Sequence, residues 1–289
     1  MDVPIGELLR PASVEEALAL LADHPGARPL AGGTDLVVQM RDGRRQIDAL
    51  VDLGALGMCG TGETDGYLEI GAATTMEAIA LDPRVAAGFP ALAAAAAQVG
   101  AWPIQCRATL GGNLANASPA ADTAPALLVA EAELLLASAA GRRRVSIDRF
   151  FRGPGRTVLA PDELILAVRL PLPRQGDGAR TIERFVKVGP RQEQVIAVVS
   201  LASRAVLGAD GAIAELRLAL GSVAPTPVRA RHAEAALAGR RPDAAARRAA
   251  AAALQLDIAP IDDVRAPARY RRIAAAVLLD RFLREVAGG

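Results

Sequence analysis

The sequence predicts an α+β protein, of two domains or of one large domain with subdomains, and three observations predict it. At 289 residues, 52% of them hydrophobic, the chain is long enough to bury more than one core. Strand-like and helix-like segments alternate up to a turn-rich stretch, Arg174-Gln175-Gly176-Asp177-Gly178, which marks the best domain boundary. Beyond that stretch come three consecutive strand-like segments and then helices. Three antiparallel strands make a minimal stable sheet if helices cover one face.

In chain order, Ser13 and Glu16 form a capping box that opens a helix with Val14, Leu18 and Leu21 on one face. Residues 28–31 read as a short strand running into Gly32-Gly33-Thr34-Asp35. A short helix opens at Leu36, and residues 49–53 read as a strand. Tyr67 to Ile70 is a strand, and Thr74-Thr75-Met76-Glu77 is a second capping box. Residues 90–99 form an alanine-rich helix, built to pack closely against a neighbour. Residues 133–138 and 142–147 form a hairpin across Ala140-Gly141, and residues 163–170 form another strand. In the second half, strands are expected over 180–188, 195–207 and 213–220, with short arginine-rich helices over 229–237 and 243–254. A long last helix begins near Pro267, with Tyr270, Ile273, Val277, Leu278, Phe282 and Val286 on its apolar face.

Composition narrows the function. A net charge of +1 gives no reason to expect nucleic acid or an anionic membrane surface as partner. No basic-then-apolar leader and no apolar run of spanning length is present, which predicts a soluble cytoplasmic protein. Cys59 and Cys106 are far apart, and His24 and His232 sit among turn or helix-surface residues. So few ligands argue against a metal or iron–sulfur cluster on this chain. No catalytic residue is identified, and the chemistry is expected to come from a cofactor.

The stretch from Thr109 to Asp122 is where that cofactor is sought. Gly111 and Gly112 allow close backbone approach, and small polar side chains (Thr109, Asn113, Asn116, Ser118, Asp122) surround them. A glycine-rich turn with free N–H groups beside a helix start cradles phosphate. Gly32-Gly33-Thr34-Asp35 offers the same geometry, with a plain βα turn as the other reading of that stretch. Asn113 and Asn116 are the only asparagines in the chain, and Lys187 is the only lysine. In an arginine-dominated chain these survivors are either chance around an ordinary turn or places where geometry resists exchange, lysine being a compact point charge and arginine a planar fork. Trp102, the only tryptophan, stands just upstream; it admits a core or interface role, or the shielding of an aromatic cofactor.

Taken together, Ala31-Gly32-Gly33-Thr34-Asp35, Thr109-Leu110-Gly111-Gly112-Asn113 through Asp122, and Lys187-Val188-Gly189-Pro190-Arg191 resemble the FAD-binding (medium) subunit of molybdenum hydroxylases. That family includes the carbon monoxide dehydrogenase medium chain and the xanthine dehydrogenase FAD subunit. The resemblance extends through Ala219 to Pro227 and the helix at Tyr270-Arg271-Arg272. It implies a two-subdomain FAD-binding fold of the PCMH, vanillyl-alcohol oxidase-like type over residues 1–173, with subdomains of about 1–56 and 57–173. A C-terminal CO dehydrogenase flavoprotein-like domain over 174–289 would follow, a three-stranded antiparallel sheet with a helical bundle.

The resemblance also implies a cofactor and its contacts. Pro29, Leu30, Ala31, Gly32, Gly33, Thr34, Asp35 and Leu36 would wrap the FAD diphosphate. Thr109, Gly112, Asn113, Asn116 and Ser118 would supply the other half of the cradle. Asp122 would bind the adenosine-diphosphate part, as an acceptor-only carboxylate suits hydroxyl donors. Ile165 would pack near the flavin system, and Lys187 would contact the cofactor. The chain departs from the pattern before the second loop, where Pro103-Ile104-Gln105-Cys106 stands in place of Gln-Ile-Arg-Asn. No counterpart is found for the tyrosine or phenylalanine that some relatives place over the flavin.

The implied function is an FAD-carrying electron-transfer subunit. It would receive electrons from the 2Fe-2S clusters of a small subunit and pass them to an external acceptor, beside a molybdopterin-binding large subunit, as a dimer of heterotrimers. Two other classes compete. One is a stand-alone flavin oxidoreductase on the same fold, which needs a protonating or flavin-linking residue that neither loop offers. The other is a non-catalytic nucleotide-binding or assembly protein.

Overall fold

The computed structural model describes residues 6–173, 180–191 and 193–288. The turn-rich stretch expected between the domains, Arg174–Gly178, lies outside the described residues. Among the described residues, strands gather into three main sheets that share no members, plus a two-stranded ribbon.

The first sheet is built from β1 (Glu7–Leu9), β2 (Ala27–Leu30) and β3 (Ala49–Asp52), in the order β1-β3-β2 and parallel throughout. Parallel neighbours need crossover connections, and two helices supply them: α1 (Val14–Asp23) and α2 (Leu36–Arg41). The Ser13 hydroxyl caps α1 by accepting from Glu16 N–H at 3.1 Å. The Glu16 carboxylate reaches back to Ala12 N–H at 2.7 Å, one residue earlier than a regular capping box. Ala17, Leu18 and Leu21 of α1 then bury against Ala27, Val51 and Leu53.

The second unit carries β4 (Thr61–Thr64), β5 (Tyr67–Gly71), six short helices, β6 (Glu133–Ser138), β7 (Gly141–Ser146), the ribbon of β8 (Phe151–Gly153) and β9 (Arg156–Thr157), and β10 (Leu164–Pro171). Its five-stranded antiparallel sheet has the order β4-β5-β10-β6-β7, so the last strand returns to the middle. The helices are α3 (Met76–Leu81), α4 (Pro83–Gly88), α5 (Pro90–Ala96), α6 (Trp102–Gln105), α7 (Leu110–Asn116) and α8 (Thr123–Val129). Leu68, Ile70, Leu134, Leu136 and Val168 of the sheet share one core with Met76, Ile79, Leu92, Leu110, Leu114 and Leu127 of these helices. The cap of α3 is Thr75, which accepts from Ala78 N–H at 3.2 Å, and not Thr74 as the capping-box reading has it. The Thr74 hydroxyl is engaged elsewhere, holding both backbone groups of Gly60.

The third sheet joins β11 (Arg180–Val188), β12 (Val199–Leu207), β13 (Ile213–Gly221) and the two-residue β14 (Val228–Arg229) in antiparallel sequence. The expected three strands are present, with β14 added at the edge. Three helices follow, α9 (Arg231–Leu237), α10 (Ala244–Asp257) and α11 (Ala268–Val286). Phe185, Ala202 and Ala219 point into the core of the second unit, whereas Ile182, Leu201, Leu218 and Leu220 point into a core shared with α9–α11. A sheet covered on both faces explains why β12 shows no clean polar alternation.

The face of α11 departs from expectation. Leu278, Phe282 and Val286 are buried, but Tyr270, Ile273 and Val277 stand exposed, and Arg271 takes an inward position instead. Its guanidinium donates to the carbonyls of Val198 (2.8 Å) and Ser222 (2.9 Å) and pairs with Asp263. Loop carbonyls that would otherwise lack donors draw the arginine in.

Glu183 of β11 joins the second and third units. It accepts from Ala91 N–H at the start of α5 (3.1 Å) and from Arg204 (2.8 Å), and is buried. Burial raises its carboxyl above the ordinary glutamate range, with Arg204 pulling the other way.

Candidate cofactor-binding site

The first glycine loop meets the segment that leads into the second stretch. A Cβ built on Gly32 would lie 1.8 Å from the Arg107 carbonyl oxygen, so only glycine lets the first loop press against the segment leading into Thr109. A second tie runs between α2 and α7, from Gln39 Nε2 to Asn116 Oδ1 at 3.3 Å.

The first loop is shaped to offer donors. Gly33 has φ +72°, a left-handed conformation that turns the chain from β2 into α2. The N–H groups of Gly32, Gly33, Thr34 and Asp35 donate to no acceptor among the described residues. Consecutive open N–H groups beside a second polar loop form an anion-binding concavity. Pro29 and Leu30 end β2, Ala31 enters the turn, and Leu36 begins α2.

The second stretch differs from the glycine-rich turn expected of it. Gly111 and Gly112 lie inside α7, with neither in a left-handed conformation. Gly111 is needed for close packing, because a Cβ there would meet the Ala72 side chain at 2.8 Å. The first-turn N–H groups of α7 are also already used. Leu110 donates to Thr74 O, Gly111 to Ala72 O, and Gly112 to the Thr109 hydroxyl at 3.1 Å. This half of the site therefore presents side chains rather than free backbone donors. Asn113 accepts from Thr123 Oγ1 at 2.7 Å, which leaves its amide nitrogen available. Ala117 takes φ +48° to end the helix, and Ser118 accepts from Ala120 N–H at 3.2 Å in the turn that follows.

Asp122 stands at the start of α8 but its side chain caps nothing. It turns instead to Lys187, whose Nζ lies 2.7 Å from Asp122 Oδ2 and 2.9 Å from the Gln98 carbonyl. The other oxygen, Asp122 Oδ1, is buried with no partner among the described residues. Burial pushes the carboxyl up to about 6 against the pull of the lysine. An orphaned acceptor of this kind is unfavourable in the protein alone and fits a ligand that brings a hydroxyl donor. Ile165 is buried in the core with Ala72, Leu110 and Leu114, beneath α7.

Gln39, Gln98 and Thr123 hydrogen-bond to the candidate site residues and were not singled out from the sequence. Gln39 reaches Asn116, and the Gln98 carbonyl receives Lys187, across long separations in the chain that no local pattern reveals. Thr123 directly follows Asp122, and that adjacency to the polar stretch was the one available signal. Trp102 is not a core residue: it is 57% exposed and lines a cleft with Lys187. Among the described residues, no three His, Cys, Asp or Glu side chains group as metal ligands.

Comparison with known proteins decides the family. A family model described as the FAD binding domain in molybdopterin dehydrogenase matches residues 4–173, and one described as the CO dehydrogenase flavoprotein C-terminal domain matches residues 184–286. The chain belongs to the FAD-binding subunit family of the molybdopterin dehydrogenases. Within this family it is 33% identical to a xanthine dehydrogenase FAD-binding subunit of Escherichia coli O157:H7, over 97% of this chain and 96% of that one. It is also 33% identical to the carbon monoxide dehydrogenase medium chain of Hydrogenophaga pseudoflava, over 98% and 97%. The reconstituted CO dehydrogenase from Oligotropha carboxidovorans has a chain that superposes with a TM-score of 0.94 at 30% identity, covering 100% of this chain and 99% of that one. The cofactor of this FAD-binding subunit is FAD, and the open N–H groups of Gly32–Asp35 and the orphaned Asp122 oxygen fit a diphosphate and a sugar hydroxyl respectively.

Proposed function

We propose that this chain is the FAD-carrying electron-transfer subunit of a molybdenum hydroxylase complex. It takes electrons from the 2Fe-2S clusters of a small partner subunit and passes them to an external acceptor. A molybdopterin-binding large subunit acts on the substrate, and the three assemble as a dimer of heterotrimers. Bound FAD supplies a centre that accepts electrons singly and releases them in pairs. Everything else falls to the protein's own groups.

In this reading residues 1–173 form the FAD-binding domain, with subdomains of about 1–56 and 57–173, and residues 174–289 form the C-terminal domain. The segment from Pro29 to Leu36 receives the diphosphate on its open N–H groups, with Thr34 and Asp35 alongside. Thr109, Gly112, Asn113, Asn116 and Ser118 close the opposite side. Asp122 accepts a hydroxyl of the adenosine-diphosphate part through Oδ1, while Lys187 holds that carboxylate in place and Ile165 supports the packing from below. The observation that carries the reading is the run of donors at Gly32–Asp35 with no acceptor among the described residues, held against the segment leading into the second stretch by the Gly32–Arg107 contact.

The test is to purify the chain alone, reconstitute it with FAD and assay it before and after adding its partner subunits. A flavin spectrum that dithionite bleaches, with turnover of CO, purine or aldehyde only in the complex, is the expected result. Turnover by this chain alone would overturn the reading and favour a stand-alone flavin oxidoreductase.

A further inference from the structure

A cleft of about 860 Å³ opens beside the cradle, and no residue carried over from the family pattern accounts for one of its walls. Trp102 and Gln105 of α6, with Gln98, line one side. Lys187, Arg191 and Glu193, from β11 and the residues after it, line the other. The two sides are latched together where Gln194 N–H donates to the Gly100 carbonyl at 3.0 Å.

Trp102 is the chain's only tryptophan, and it is 57% exposed within this concave surface. The indole offers a broad flat apolar face, and here that face belongs to the wall of a concave surface rather than to the core. Lys187 lines the cleft while its ammonium holds Asp122, whose side chain is only 8% exposed and whose Oδ1 has no partner among the described residues. The cleft therefore shares a wall with the group that awaits a hydroxyl donor. On its other side, α6 leads through Arg107 directly to the contact with Gly32. A dinucleotide gripped by its diphosphate at that contact carries a planar ring at each end, and the short segment from Trp102 to Arg107 joins that contact to the cleft.

We propose that Trp102 is a further cofactor-contacting residue, whose indole covers one face of a ring of the bound dinucleotide in this cleft. The inference rests on the FAD-binding reading above and extends it to a residue that reading does not include. Stacking on an indole is open to either end of FAD, since adenine and isoalloxazine both present a flat π-face.

The test uses the full chain and follows oxidation of Trp102 by N-bromosuccinimide, read as the mass shift of its peptide. FAD retention is measured in parallel by gel filtration. Covering the indole slows oxidation by a factor of 1 + ligand/Kd, about tenfold at ten times Kd. Protection by FAD and by ADP places the adenine in the cleft, and protection by FAD and by FMN places the isoalloxazine there; either supports the proposal. Retained FAD with Trp102 oxidised at the rate of the free chain overturns the proposal and leaves the FAD-binding reading standing. Failure to retain FAD at all overturns the reading itself. Trp102→Ala is expected to weaken FAD binding about tenfold or more, and Trp102→Phe to restore most of it. Equal affinity in all three would also overturn the proposal.

Discussion

Lys187 Nζ lies 2.7 Å from Asp122 Oδ2, and the two side chains are 4% and 8% exposed. This pair spans the interior between β11 of the third sheet and the start of α8, so the only lysine in the chain ties the C-terminal half to the cofactor-binding half. It also leaves Asp122 Oδ1 unpartnered among the described residues. A charge pair that satisfies one carboxylate oxygen and withholds the other is poised for a ligand.

The pH dependence of FAD binding follows from that arrangement. Burial places the Asp122 carboxyl at about 6. A hydroxyl donated to Oδ1 favours the ionised form, so FAD binding lowers the pKa. Affinity is therefore expected to rise with pH up to about 6 and level off above it, by at most about tenfold per unit. Asp122→Asn should flatten the curve. Titrations of FAD across this range check it, and a flat profile in the native chain would count against the assigned hydroxyl contact.

Removing Lys187 strands a buried carboxylate. Lys187→Met is expected to lower unfolding stability by about 3 kcal/mol at neutral pH. The loss should shrink in acid, where Asp122 takes up a proton. Lys187→Arg is not conservative here, because a planar fork must fit between the Gln98 carbonyl and Asp122. Denaturant unfolding at two pH values measures both effects.

The glycines divide by what surrounds them. Gly32→Ala drives a Cβ into a backbone oxygen that cannot rotate away, which should cost about 1–3 kcal/mol and FAD retention with it. Gly112→Ala brings a Cβ to 2.9 Å from the Thr109 hydroxyl that caps α7, so the cap must give, which offsets the gain from relieving a helix of a glycine. It should be close to neutral in Tm, whereas Gly112→Leu should lower FAD retention. Thermal unfolding and flavin absorbance after gel filtration, read side by side, separate these outcomes.

Glu183 tests the join between the units. Glu183→Ala removes the acceptor for Ala91 N–H and leaves Arg204 unpaired, and is expected to cost about 3 kcal/mol. Glu183→Gln should recover part of this, since the amide still accepts from Ala91. Chemical denaturation of the two variants provides the comparison.

Much of this was legible in the sequence because the signals were local. Gly33 sits in the left-handed turn that a Gly-Gly pair between strand and helix demands, and Lys187 stood out by composition alone. Other features depended on contacts that no local pattern encodes. Gly111-Gly112 reads as a turn, yet both are helical, and the reason lies far back in the chain, at Ala72. On α11 the periodicity could not decide between Tyr270 and Arg271, because carbonyls from two distant loops recruit the arginine inward. The open edge of Trp102 depended on the fold bringing β11 alongside α6.

A crystal structure of the chain grown with FAD tests the central claim most directly. Diphosphate density between the N–H groups of Gly32–Asp35 and the side chains of Asn113 and Asn116 is the predicted result. Density for the diphosphate anywhere else on the molecule would contradict it.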